Sequence, residues 1–80
     1  MAQFFNGDII FYEGDRAEKA YVIESGRVEI SRKKEGVLAI LSRGQMFGEM
    51  GPMDGNPRNA TARALGEVML REIDVEDDGI

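Results

Sequence analysis

The stretch from Gln45 to Ala64, QMFGEMGPMDGNPRNATARA, decides the fold of this chain. It places a carboxylate directly after a glycine, at Gly48-Glu49, and brings an arginine, Arg58, back after a turn rich in glycine, proline and asparagine. A glycine lets the backbone approach a ligand closely because it carries no side chain. The guanidinium of an arginine offers a planar fork of donors to phosphate oxygens. We therefore expect a phosphate to be bound between Gly48 and Arg58.

Glu49 limits the chemical class of ligand that this stretch can bind. A short helix over Glu49–Asp54 is predicted, and its free N–H groups would attract an anion. A carboxylate beside that anion is unfavourable unless it accepts a hydrogen bond from the ligand, as a sugar hydroxyl would supply. A singly charged phosphate fused to a sugar fits both groups. On the residues alone, Arg58 could instead form a structural salt bridge to Glu49 or Asp54, and Glu49 could be a surface carboxylate.

Four upstream motifs precede this stretch in a recognisable order: Gly7-Asp8-Ile9-Ile10, Glu13-Gly14-Asp15, Tyr21–Val28 and Gly44–Glu49. With Phe47-Gly48-Glu49 and Pro57–Ala64 in register after them, the sequence resembles the cyclic nucleotide-binding domain family over about residues 4 to 75. In that family the decisive stretch is the phosphate-binding cassette. The resemblance implies an all-β fold, a small jelly-roll or double-stranded β-helix barrel with one short helix in the cassette. It also implies one domain over residues 1–80. Compared with the family, we expect the C-terminal lid helices to be absent and the helix before the barrel to be missing or reduced to a few residues around Phe4-Phe5.

The resemblance also implies roles for individual residues. Glu49 would accept the free ribose hydroxyl, and Arg58 would bind the exocyclic phosphate oxygens. Asn59 departs from the small residue usual after the arginine, which leaves the choice of base open. The implied ligand-binding residues are Phe47, Gly48, Glu49, Met50, Arg58, Asn59 and Ala60 in the cassette, with Ile30 and Leu38 flanking the sugar and base.

The predicted function is a non-enzymatic regulatory sensor that binds a cyclic purine nucleotide, cyclic AMP in preference to cyclic GMP. Its effector domain would lie outside this chain, and barrel surface left uncovered by the missing helices predicts a homodimer. The alternative is a degenerate barrel that serves assembly without binding nucleotide. No catalytic residue is expected, because no pair of nucleophile and base is visible.

Composition excludes several other classes of function. The chain has no histidine and no cysteine, which argues against a cupin-like metalloenzyme, and no metal is expected. A net charge of −5 argues against direct nucleic-acid contact. No apolar run approaches the roughly 20 residues of a membrane span, and we expect a cytoplasmic protein. Arg32-Lys33-Lys34 is interpreted as a solvated hairpin tip rather than a binding patch. Glu13-Gly14-Asp15 is interpreted as a plain turn rather than a metal loop.

Regularly spaced glycines between β-branched and aliphatic runs are typical of an all-β barrel. Ser25-Gly26 is predicted as a tight turn, and Gly36 as a positive-φ residue closing the next hairpin. Val28 and Ile30 alternate with Glu29, so they should face the core while Glu29 faces water. Val37–Leu41 does not alternate, which predicts a strand covered on both faces. The predicted strands are Asp8–Tyr12, Lys19–Glu24, Arg27–Arg32, Val37–Leu41, Asn59–Leu65 and Val68–Val75.

Overall fold

Six antiparallel strands make up the fold in a computed structural model that describes residues 1–49 and 56–74. Within those ranges the chain contains no helix, and the predicted short helix over 49–54 lies almost entirely outside them. The all-β prediction is confirmed. The strands are β1 (Ala2–Phe4), β2 (Ile9–Phe11), β3 (Lys19–Arg32), β4 (Gly36–Leu41), β5 (Met46–Phe47) and β6 (Thr61–Asp74).

Two long strands, β3 and β6, form the frame of the molecule. They pair antiparallel from Lys19↔Asp74 to Ser31↔Thr61, with breaks in register on either side of Ser25. On one side of this break β1 adds to β6 and β5 adds to β3. On the other side β2 adds to β6 and β4 adds to β3. The frame therefore carries two four-stranded halves, as expected when strands pass from one sheet of a sandwich to the other.

The two halves close on each other around an apolar core. Phe11 of β2 and Phe47 of β5 belong to different halves, yet their ring centroids lie 6.0 Å apart. Four side chains at the centre of the frame are almost fully buried, namely Ile23, Val28, Val68 and Leu70. Burying side chains of this size contributes about 1.5–3 kcal/mol each, so this core stabilises the contact between the two halves. The arrangement agrees with the predicted jelly-roll barrel.

Gly26 lies inside β3, so the predicted tight turn at Ser25-Gly26 is wrong. The chain continues in the same direction, and Lys19–Glu24 and Arg27–Arg32 are parts of one strand. Gly26 has a φ of +87°, which bends β3 at a bulge. Gly66, with a φ of +72°, lies in the partner strand, so the predicted strands Asn59–Leu65 and Val68–Val75 also join into one.

The hairpin between β3 and β4 forms as predicted. Arg32 pairs with Gly36, whose φ is +80°, and the basic residues Arg32-Lys33-Lys34 are exposed at or beside its tip. Val28 is fully buried and Ile30 packs against the core, as their alternation indicates. Glu29 was predicted to face water. Instead it pairs with Arg63 on the neighbouring strand β6, and its side chain is only 18% exposed.

The prediction that both faces of Val37–Leu41 are covered is wrong. β4 is the end strand of its half and pairs only with β3 among the described strands. Val37, Leu38 and Ile40 are each at least half exposed. An exposed apolar surface does not by itself show a dimer, so the homodimer stays a prediction. Among the described residues no helix is long and apolar enough to cross a membrane.

The chain start is also a strand. Ala2–Phe4 pairs with Val68–Leu70 as β1, so the residues around Phe4 are not the remnant of a helix. The two-residue strand β5 was missed as well, because so short a segment carries no periodic signal. β5 places Phe47 against Tyr21 and leads directly into Gly48, so it determines where the cassette starts.

Candidate functional site

The main chain of Arg58 is fixed just before β6 by the turn after β2. Arg58 N–H donates to the Asp15 carbonyl, and Gly14 N–H donates to the Arg58 carbonyl, both at 2.8 Å. The same turn is closed by Tyr12 N–H donating to the Asp15 carboxylate at 2.9 Å. Glu13-Gly14-Asp15 is therefore a turn, as predicted, and its backbone holds Arg58 in place.

The guanidinium of Arg58 points inward and is held by carbonyl oxygens. Nη1 donates to the Gly48 carbonyl and Nη2 donates to the Lys19 carbonyl, each at 2.7 Å. Its Cζ atom lies 4.0 Å from the centroid of the Phe11 ring, within the range of a cation–π contact. The residue is 6% exposed, and its buried Nε has no hydrogen-bond partner among residues 1–49 and 56–74.

The positive charge of Arg58 is not neutralised by an ion pair with any described residue. The structural salt bridge to Glu49 does not form, and Asp54 lies outside the described residues. Burial lowers the pKa of the guanidinium from its ordinary value, although the more distant carboxylates of Asp15 and Glu18 act in the opposite direction. Buried charges are normally paired, so this site favours an anion.

Gly48 lies against the guanidinium with both its carbonyl oxygen and its Cα. Its φ is +78°, and a Cβ atom there would lie 2.8 Å from Nη1 of Arg58 and 3.3 Å from Cε2 of Phe11. No side chain fits between these groups. Gly48 thus lies against Arg58 as well as on the cavity, and its predicted close approach to a ligand stays a prediction.

A cavity of about 260 Å³ opens beside Arg58. This volume lies just below the roughly 300–1,000 Å³ of typical small-molecule pockets, which suits one small ligand. Its polar end is formed by the cassette and its apolar wall by β3, β4 and β5. The lining residues are Phe11, Ile30, Ala39, Leu41, Met46, Phe47, Gly48, Glu49, Arg58, Asn59 and Ala60.

Most residues predicted for the site lie together around this cavity. They are Phe47, Gly48, Glu49, Arg58, Asn59, Ala60 and Ile30. Leu38 is not among the lining residues; it is half exposed, at a break in the β3–β4 register. Met50 lies outside the described residues.

Sequence reasoning missed Phe11, Ala39, Leu41 and Met46. Ala39 and Leu41 lie two positions apart on β4, and the two-residue period of a strand could have assigned both to one face. Phe11 carried no such signal, because its contact with Arg58 joins residues 47 positions apart.

Three aromatic rings, those of Phe11, Tyr21 and Phe47, pack against one another beside Arg58. Tyr21 and Phe47 stack with centroids 5.4 Å apart, and Phe11 lies 6.1 Å from Tyr21. Pairs at such distances stabilise one another beyond their buried area. Burial raises the pKa of Tyr21 above the ordinary 10.0 of tyrosine, so its phenol stays protonated in the fold.

The described residues include no cluster of three or more acidic side chains that could hold a metal ion.

Comparison with known proteins assigns the chain to a family. The sequence profile described as "Cyclic nucleotide-binding domain" matches residues 2–77. The chain belongs to the cyclic nucleotide-binding domain family, and the resemblance seen in its motifs is confirmed. Two curated relatives are regulators by name. The cAMP-dependent protein kinase regulatory subunit of Debaryomyces hansenii is 42% identical over 67 residues, which cover 84% of this chain and 15% of the relative. The CRP-like cAMP-activated global transcriptional regulator of Mycobacterium tuberculosis is 35% identical over 75 residues, covering 89% and 34%.

A solved structure agrees with the fold. The EAL enzyme Bd1971 in its cAMP-bound form has a TM-score of 0.84 and 42% identity, covering 91% of this chain and 21% of that one. Its cGMP-bound form gives a TM-score of 0.85 at the same identity, covering 20% of that chain. The present chain thus spans about a third or less of each of these proteins.

Proposed function

We propose that this chain is a regulatory sensor domain, without enzymatic activity, that binds a cyclic purine nucleotide through the cassette around Gly48 and Arg58. The observation that carries the proposal is the buried Arg58 guanidinium, which has no carboxylate partner among the described residues and lies at the wall of a cavity. An anion in that cavity would pair with a charge that otherwise stays uncompensated.

The donors that remain on Arg58 suit a phosphate. A guanidinium has five N–H donors, and the two carbonyls of Gly48 and Lys19 use two of them. Nε–H is buried and has no partner in the described part of the chain, so in this proposal it binds an exocyclic phosphate oxygen. In this proposal the backbone N–H groups of Gly48, Glu49, Asn59 and Ala60 complete the anion site.

The rest of the cavity suits the sugar and the base. Glu49 lines the cavity and is only partly buried, so its carboxylate can accept a hydrogen bond from a ribose hydroxyl. Ile30, Ala39, Leu41 and Met46 offer an apolar wall for the faces of the sugar and base. We propose cyclic AMP in preference to cyclic GMP because two curated relatives carry cAMP in their names. By their names these relatives are the regulatory subunit of a kinase and a transcriptional regulator, and this chain spans only 15% and 34% of them, so we place the effector of this chain outside it.

Titration calorimetry with cyclic AMP and cyclic GMP tests the proposal. Arg58→Leu should weaken binding by about 2–5 kcal/mol, because it removes one partner of a buried charge pair. Glu49→Ala should weaken binding through the loss of the ribose contact. The exposed Arg43→Leu is the matched control and should bind like the wild type.

The alternative of an assembly barrel gives a different result. If the wild type binds neither nucleotide, the sensor proposal fails and assembly is favoured. A thermal shift gives an independent answer, since ligand at one hundred times its dissociation constant adds about 2.7 kcal/mol of stability. Unchanged affinity in both Arg58→Leu and Glu49→Ala would reject the assigned site even if nucleotide binds elsewhere.

A further inference from the structure

Phe11 lines the cavity, but the proposed function gives it no part in ligand binding, although its ring touches the group on which binding depends. The ring lies under the Arg58 guanidinium with 4.0 Å between Cζ and the ring centroid. The negative face of an aromatic ring attracts a guanidinium, and the attraction is strongest where water is excluded. Arg58 is buried, so this contact acts at a desolvated charge.

We propose that Phe11 is a positioning residue that holds the Arg58 guanidinium in the orientation from which it binds the phosphate. The inference rests on the proposed function, because it takes the phosphate partner to be Arg58. It adds strand β2 to the binding machinery, with Phe11 acting through the arginine.

The geometry leaves the ring a distinct task. The carbonyls of Gly48 and Lys19 bind the two Nη atoms, which fixes the outer end of the fork. The ring contacts the same group, with its centroid 4.0 Å from Cζ, so it limits displacement of the guanidinium towards β2. Without the ring, the guanidinium could shift about its two carbonyl bonds, and Nε would lose its fixed position.

Phe11 is itself held rigidly. Its ring packs against Tyr21 and Phe47, which come from β3 and β5. The turn that follows β2 binds both backbone polar groups of Arg58 through Asp15 and Gly14. One strand and its turn therefore hold both ends of the arginine. Such support is what a site needs when binding depends on the orientation of one side chain.

Calorimetry on variants of the full chain with cyclic AMP tests the inference. Phe11→Leu keeps apolar volume but removes the π face, and we expect affinity to fall about 5- to 30-fold. Replacing Phe11 by a difluorophenylalanine keeps the ring shape while weakening its negative face. A smaller loss of affinity is expected there, of a kind that a purely structural role does not produce.

Two control variants separate positioning from packing. Tyr12→Leu changes the neighbouring, exposed aromatic residue and should leave affinity unchanged. Phe4→Leu truncates another aromatic ring that packs against the core and should lower stability without a selective loss of affinity. In an Arg58→Leu background, Phe11→Leu should cause no further loss, because the ring acts through the arginine.

The outcomes distinguish the inference from the function on which it rests. If Arg58→Leu abolishes binding while Phe11→Leu and the fluorinated ring bind like the wild type, the positioning role is rejected and the sensor stands. If Phe11→Leu and Phe4→Leu weaken binding equally and fluorination changes nothing, the effect is packing alone and the inference is likewise rejected. If the wild type binds no cyclic nucleotide, the proposed function fails and the inference fails with it.

Discussion

Gly26 of β3 faces Glu67 of β6 so closely that a Cβ atom on Gly26 would lie 2.2 Å from the Glu67 carbonyl oxygen. The same Cβ would lie 3.0 Å from both Cα and Cγ2 of Val68. These contacts fall where the register of the long strand pair breaks and the frame passes from one half to the other. The absence of a side chain at Gly26 allows the two strands to cross this bend in contact.

Gly26→Ala should therefore lower the free energy of unfolding by more than about 2 kcal/mol. A left-handed conformation alone costs an alanine roughly 1–2 kcal/mol, and the clash with rigid backbone adds to it. Urea denaturation followed by circular dichroism measures the change.

Gly36→Ala is the matched control. Gly36 has a similar φ of +80°, but a Cβ there would meet nothing within 4 Å. It should cost only the conformational part, roughly 1–2 kcal/mol. Equal losses in the two variants would show that the contact with Glu67 has no energetic weight.

The same comparison shows what the sequence could and could not predict about the fold. Gly26 follows the polar Ser25 and precedes Arg27, a charged residue that leads into a strand. Gly36 follows the polar Glu35 and precedes the β-branched Val37. Both glycines were predicted to lie in turns and both have a positive φ, but only Gly36 lies where the chain reverses. Whether a glycine forms a turn or a bulge depends on its partner strand. For Gly26 that partner is about forty residues away, and local pattern does not contain it.

The candidate site likewise has one part that the sequence predicts and one part that it does not. Side-chain motifs identified Glu49 and Arg58, because anion and hydroxyl recognition needs particular residue types. The carbonyl of Lys19, which holds the guanidinium, could not be predicted, since every residue has a carbonyl and only the fold selects one. Phe11 was missed because its contact with Arg58 joins two distant parts of the chain that only the fold brings together. Residues selected for the chemistry of their side chains could be predicted from the sequence. Groups selected only by their position in the fold could not.

Glu29 and Arg63 form a cross-strand ion pair that should stabilise the frame. Nε of Arg63 lies 3.2 Å from the Glu29 carboxylate, whose side chain is only 18% exposed. A double-mutant cycle with Glu29→Ala and Arg63→Ala should give a coupling of about 0.5–1 kcal/mol, the upper part of the range for partly exposed pairs. The Arg32–Glu35 pair, at 3.8 Å and about half exposed on both sides, should give a coupling near zero. Equal couplings for the two pairs would contradict this ranking.

Tyr21 should make the protein less stable at alkaline pH. Burial raises the pKa of its phenol above 10.0 in the folded state. As pH rises, the unfolded chain therefore loses this proton first, and the stability from Tyr21, fully present below pH 10.0, is lost as pH passes through the folded pKa. Urea midpoints measured from about pH 9 to about pH 11 should fall less steeply in Tyr21→Phe than in the wild type.

Some alkaline loss should persist in that variant. A hydrogen bond with Glu72 raises the pKa of Lys19, which has the same sign of effect and is unchanged in Tyr21→Phe. The exposed Tyr12→Phe serves as the control and should follow the wild-type curve. A Tyr21→Phe curve as steep as that of the wild type would show that the buried phenol does not govern this pH dependence.

Gly48→Ala tests the link between the cassette backbone and Arg58. The added methyl group would lie 2.8 Å from Nη1, so the guanidinium must move and its bond to the Gly48 carbonyl is lost. Hydrogen bonds to charged groups contribute about 1.5–3 kcal/mol, so we expect affinity for cyclic AMP to fall about 10- to 150-fold. Gly44→Ala carries the same backbone strain, with a φ of +90° and nothing within 4 Å, and should bind like the wild type. If both alanine variants lose affinity equally, backbone strain explains the effect. If neither loses affinity, Arg58 does not need this position to bind its ligand.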